Sequence, residues 1–212
     1  EYGMQPQIVN EQLPDGNIAP RFLFQHPEKK MHVIFLNSKI QFSKAFDITP
    51  PFTEYMDDIS LYFDEIKKLA IEVLDKYSKI KGVFKFNRIS FVIKGADVIG
   101  YEAERSWLNN NIGRGLPWIN TENPTVRIST NETLEIAGIK TNAITNITDG
   151  TVQGMNLSGF FQEKCLLKEI DLNTDETDLI DRFNKVEAFD LLANLKDLAT
   201  QKWTAVKKMR GE

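Results

Sequence analysis

The chain has 212 residues, 42% hydrophobic and 26% charged, with a net charge of −4. That length suits one large domain or two small ones, and the composition is that of a globular protein able to bury a core without metals or disulfide staples. The acidic balance argues against general nucleic-acid binding, which needs a basic face, and no run of 18 apolar residues is present to span a bilayer.

Residues 1–19 are polar, with Pro6, Pro14 and Gly16, and are expected as an extended or turn-rich lead-in. "RFLFQH" (21–26) alternates Phe22 and Phe24 with polar residues, as a strand does. "MHVIFLN" (31–37) and "KIQFSKAF" (39–46) follow across short polar joints, which predicts an antiparallel meander. Pro50 and Pro51 then break the pattern, because proline cannot donate to a strand ladder.

The next element is a helix. Thr53 is placed to cap it, and Tyr55, Ile59, Tyr62, Ile66, Leu69 and Val73 recur at spacings of four and three. Acidic and basic residues take the opposite side, so residues 54–78 form an amphipathic helix whose apolar stripe packs on a sheet. Gly82 follows it, and residues 83–95 are expected as one strand with a bulge near Asn87.

Further strands are expected between residues 125 and 173, with joints at Asn131-Glu132 and Asp149-Gly150, the second a strong hairpin signal. "TDETD" (174–178) is expected to cap or precede a closing helix, where Leu191, Leu195, Leu198, Lys202 and Val206 share one face. Strands are grouped rather than alternating with helices. The predicted class is therefore α+β: a mostly antiparallel sheet of meanders packed on one face by two long helices. After the lead-in, residues 20–212 are taken as one domain, with two halves, 20–100 and 120–212, as the alternative division.

The apolar spacing of "FQHPEKKMHVIFLNSKIQF", "YMDDISLYFDEIKKLA", "NRISFVIKG", "LLKEIDLNTDETD" and "FDLLANLKDLATQKWTAVKK" resembles that of a family of bacterial proteins of sporadic distribution and about this size. The resemblance covers most of residues 20–208. It implies an α+β fold and an accessory protein of the kind carried on mobile elements. It implies no reaction, and it carries over no functional residue.

Several chemistries lack their residues. The single cysteine, Cys165, cannot form an internal disulfide, which suits a reducing, cytoplasmic setting, and its surroundings make it a packed strand residue. His26 and His32 flank the first hairpin turn, with only Glu28 nearby as a third ligand. Neither a nucleophile–histidine–carboxylate set nor a phosphate-binding G-x-x-x-x-G-K-[ST] run occurs, and no metal or cofactor is expected. Three N-x-S/T sequons, at Asn131, Asn146 and Asn156, lie in strand-like sequence.

One stretch stands out. "SWLNNNIGRGLPWINTENP" (106–124) holds two of the three tryptophans within asparagine-, glycine- and proline-rich sequence, so it is expected as a loop. Trp107 and Trp118 suit either plugs over the end of a sheet or an exposed recognition element. With Arg105 and Arg114 they form the candidate binding set within residues 101–124. The expected function is a non-catalytic interaction protein, an accessory or regulatory subunit whose partner is another protein, with a homo-oligomer compatible. The resemblance points that role toward a mobile or defence-type bacterial system. One alternative is a nucleotide or nucleic-acid binder using the same residues for phosphate contact and base stacking. The other is an enzyme using Glu102 or Glu104.

Overall fold

The computed structural model describes residues 4–12, 16–35, 39–46, 50, 59–111, 126–174 and 182–207. Among the described residues the class is α+β, with two antiparallel sheets and three helices. The expected single sheet is thus replaced by two, in two compact units.

The first unit contains β1 (Gln5–Gln12), β2 (Ile18–His26), β3 (Met31–Phe35), β4 (Ile40–Lys44) and α1 (Ile59–Lys81). Its sheet runs β1-β2-β3-β4, each strand antiparallel to the next. Much of the expected lead-in is therefore strand: β1 pairs along β2 from Gln5↔Gln25 to Gln12↔Ile18. The core is Met31, Val33 and Leu69, with Phe24, Phe35, Ile40, Phe42 and Val73 packed against it. Leu69 and Val73 come from α1, so the helical stripe seen in the sequence does bury against this sheet. The helix runs to Lys81 and stops at Gly82, whose φ of 79° suits a left-handed cap and whose N–H reaches the Ser78 carbonyl at 2.8 Å. Thr53, its expected cap, lies outside the described residues.

The two histidines belong to this sheet but not to one site. His26 pairs with Met31 and His32 with Gln25, so their side chains leave opposite faces of the hairpin. His26 Nδ1 instead accepts the Lys29 N–H at 3.2 Å inside the turn.

The second unit contains β5 (Ser90–Asp97), α2 (Tyr101–Asn111), β6 (Arg127–Ile136), β7 (Ile139–Asn156), β8 (Gly159–Thr174) and α3 (Lys185–Lys207). The sheet order is β5-β8-β7-β6, all antiparallel. One face carries Ile93, Gly95 and Asp97 of β5 together with Leu166, Lys168 and Ile170 of β8, and α3 packs on this face. The Trp203 ring of α3 lies so close over Gly95 that a Cβ there would stand 2.6 Å from it. α3 starts at a capping box: Asn184 Oδ1 accepts the N–H groups of Val186 and Glu187, and the Glu187 carboxylate accepts the Asn184 N–H at 2.8 Å. The "TDETD" stretch precedes α3 in the chain; its Thr174 ends β8, and residues 175–181 lie outside the described residues.

Three local expectations are corrected. Residues 83–89 are not strand apart from a bridge between Phe86 and Phe183, and β5 begins at Ser90. Asn131-Glu132 lies inside β6, and the turn falls at Ala137-Gly138. Asp149-Gly150 lies inside β7, and the next turn falls at Leu157-Ser158. The physical reasons differ. Ala137 and Gly138 carry φ of 50° and 76°, the paired positive angles of a tight two-residue hairpin turn. Gly150 has no such angle; it is small because the Leu167 side chain lies over it, 2.5 Å from where a Cβ would stand.

Alanine is strained in the left-handed region, whereas asparagine is tolerated there. Ala137→Asn is expected to stabilise the fold by about 0.5–1 kcal/mol. Urea denaturation would measure it, and a lower midpoint would contradict the assigned turn.

Candidate functional site

The residues expected to form a loop from Ser106 begin instead as helix. α2 spans Tyr101–Asn111, so Trp107 and the asparagines 109–111 are helical. The cause is an inward stripe: Tyr101, Glu104 and Leu108 are buried and Arg105 half-buried, at helical spacings of three and four. Glu102 and Glu104 in the first turn complement the positive end of the helix dipole. At the other end the Asn111 side chain donates to the Trp107 carbonyl at 2.8 Å.

Beneath α2 lies a buried ion cluster. Lys168 Nζ sits 2.8 Å from Glu104 Oε1, 2.6 Å from Glu104 Oε2 and 3.3 Å from Asp97 Oδ2. Lys168, Glu104 and Asp97 are 5%, 2% and 8% exposed. A buried ammonium is costly unless it is paired and hydrogen-bonded, and here two carboxylates from different elements meet it. Asp97 also accepts the Gly100 N–H through Oδ1 at 3.0 Å, which fixes the turn leading into α2.

A second ion pair lies beside the first on the same helix. Arg105 Nε approaches Asp149 Oδ1 at 3.8 Å, and the guanidinium lies 5.8 Å from the centre of the Tyr101 ring. Asp149 accepts the Val126 N–H through Oδ2 at 2.6 Å and donates its own N–H to the Val126 carbonyl at 2.9 Å. Burial pushes the Tyr101 phenol above its ordinary pKa; the charge of Asp149 and its hydrogen bond push the same way, against Arg105. The phenol therefore stays protonated near neutral pH.

Cys165 is fully buried in β8, as expected of a packed strand residue. Burial raises its thiol pKa, and the Asp97 and Asp149 carboxylates raise it further, while a backbone hydrogen bond at Val152 opposes them. Such a thiol is a poor nucleophile.

Of the four expected binding residues, the described structure places two. Arg105 faces Asp149 and Trp107 is half-buried on the side of α2. Arg114 and Trp118 lie outside the described residues. Sequence reasoning noted Glu104 as a carboxylate but missed Lys168, Asp97 and Asp149. The available signal was Tyr101, Glu104, Arg105 and Leu108 at helical spacing, which the following asparagines and glycines obscured. Among the described residues no cluster of three or more His, Cys, Asp or Glu could hold a metal ion, and no helix is long and apolar enough to cross a membrane. No family model, curated protein or solved structure matches the chain.

Removing one partner of a buried ion cluster leaves the others uncompensated. Lys168→Met is expected to cost about 3–5 kcal/mol of folding stability. Adding Glu104→Met and Asp97→Asn, which keeps an acceptor for Gly100, should recover most of that loss. Denaturant titration of both variants checks this, and no recovery would mean that the cluster does more than neutralise Lys168. In the folded protein at pH 8, a thiol reagent should label Cys165 at least about tenfold more slowly than in denaturant.

Proposed function

We propose that the protein is a non-catalytic interaction protein, an accessory or regulatory subunit that binds another protein through residues 101–124. The observation that carries this reading is the inward direction of Glu104 and Arg105 on α2. Glu104 is held by Lys168, and Arg105 is turned toward Asp149. They anchor the helix to the sheet. Trp107 is then positioned on a rigid element, with Arg114 and Trp118 following it in the chain. Tryptophan and arginine are among the residue types most enriched in side chains that dominate binding energy.

The alternatives find less support. A phosphate-binding role needs an available guanidinium, and Arg105 is directed to a carboxylate and an aromatic ring. A carboxylate enzyme built on Glu104 needs solvent and substrate to reach a side chain that is 2% exposed and bonded to Lys168 through both oxygens.

The test is affinity capture from native cells at low and moderate salt, comparing the natural chain with Trp107→Ala. A stoichiometric protein bound by the natural chain should be lost, with binding weakened by at least about 2 kcal/mol. Unchanged helical content by circular dichroism must accompany that loss. Retained binding by Trp107→Ala, or turnover abolished by Glu104→Gln, would overturn the reading.

A further inference from the structure

Among the described residues, the buried charged side chains are Asp97, Glu104 and Lys168, and both carboxylates meet the one ammonium. Neutralising Lys168 takes one carboxylate, and two are supplied. The surroundings also keep water out. Lys168 stands between Leu166 and Ile170 on its own strand, with Ile147 opposite on β7 and Gly95 opposite on β5, beneath the Trp203 ring. Leu166, Ile170, Ile147 and Trp203 are all buried. In an apolar setting a pair of opposite charges loses its solvation, and passing a proton from ammonium to carboxylate leaves two neutral groups. One is an amine, which is a nucleophile; the other is a carboxylic acid, whose carbon accepts one.

The two carboxylates are held in different ways. Asp97 lies diagonally from Lys168 on the adjacent strand: the pairs Asp97↔Leu166 and Gly95↔Lys168 put both side chains on one face. The two oxygens of Asp97 are divided between two donors. Oδ1 accepts the Gly100 N–H at 3.0 Å, and Oδ2 lies 3.3 Å from Lys168 Nζ. A backbone N–H on one carboxyl oxygen stabilises negative charge there, as in an oxyanion hole, and leaves the other oxygen to depart. Glu104 instead brings both oxygens to the same Nζ, at 2.8 and 2.6 Å. It is within reach to take a proton from that nitrogen and to return one.

We propose that Lys168 and Asp97 condense to an isopeptide cross-link, with Glu104 as the acid–base group. A proton passes from the Lys168 ammonium, through Glu104, to Asp97 Oδ2. The amine lone pair then attacks Asp97 Cγ, and negative charge gathers on Oδ1, where the Gly100 N–H donates. Glu104 takes a second proton from the nitrogen and hands it to the Oδ2 hydroxyl, which leaves as water. The Nζ–Cγ bond has formed, the Cγ–Oδ2 bond has broken, and Glu104 is back in its starting state. One ammonium and one carboxylate have become one amide and one water, with no oxidant or co-reactant. Groups held in position by a fold act at effective concentrations of up to about 10⁵–10⁸ M, and a dry site disfavours the reverse hydrolysis.

The product ties the end of β5 to the middle of β8. Asp97 and Lys168 are 71 positions apart, so the bridge closes a loop that holds α2, β6 and β7 and restricts the unfolded chain. Condensation is a single event within the chain and needs no partner, so it stands or falls apart from the reading of residues 101–124.

The test is intact mass spectrometry of the full chain, folded, incubated and then denatured. Its mass should fall short of the sequence mass by one water. Trypsin should release a branched peptide in which residues 95–105 are joined to residues 165–182, because an amidated Lys168 is no longer cleaved. Fragmentation should place the bridge at Asp97. Lys168→Arg should keep its full mass. Glu104→Gln retains both condensing groups and should slow the loss of water at least about a hundredfold, with helical content unchanged by circular dichroism. The cross-link is read first in the natural chain, so a variant that fails to fold does not blur the result. A folded chain that keeps its full sequence mass after prolonged incubation overturns the proposal. So does loss of water without the branched peptide, a bridge at Glu104, or cross-linking of Glu104→Gln at the natural rate.

Discussion

Lys168 lies on a central strand of the second sheet, buried on the face that the helices cover. An ammonium in that position requires anionic neighbours, and none comes from its strand partners, Gly95 and Ile147. Asp97 supplies one from the end of β5, and Glu104 the other from α2. The helix can satisfy Lys168 only in one rotation and one height over the sheet. Glu104 inward brings Arg105 beside Asp149 and Tyr101 onto the same pair. Such a cluster contributes more to the choice of arrangement than to net stability, because desolvation offsets much of the Coulomb gain.

The same anchoring fixes both described flanks of residues 112–125. α2 is tied down on one side, and on the other Val126 exchanges two hydrogen bonds with Asp149 before β6 begins. Residues 112–120 hold Arg114 and Trp118.

Long strands β7 and β8 form the spine of that unit, and two glycines of β7 are explained by what lies over them. Gly150 lies beneath Leu167, and Gly154 lies beneath Phe161, whose ring would be 2.8 Å from a Cβ. These glycines are seats for large side chains within a sheet. The first unit rests on ordinary means by comparison: an amphipathic helix and a meander closing on Met31, Val33 and Leu69. A cross-element ion pair there, Lys44 with Glu65, joins β4 to α1 at the surface of that core.

Sequence alone determined what depends on neighbours two to four residues away. The body of α1, the helical face of α3 and the meander from Phe22 to Phe42 follow from local periodicity, and the α+β class follows from their grouping. Turn positions were less legible, because Asp149-Gly150 carries turn chemistry for a different reason and Ala137-Gly138 carries little of it. The ion cluster was invisible. Glu104 and Lys168 are 64 residues apart in the chain, and Asp97 and Lys168 are 71 apart. No spacing rule links residues at such distances; a strand register and a helix rotation must first bring them together. The division into two sheets has the same origin, since most strand patterns were present in the sequence but pairing partners are chosen by tertiary packing, where a whole face must be buried at once.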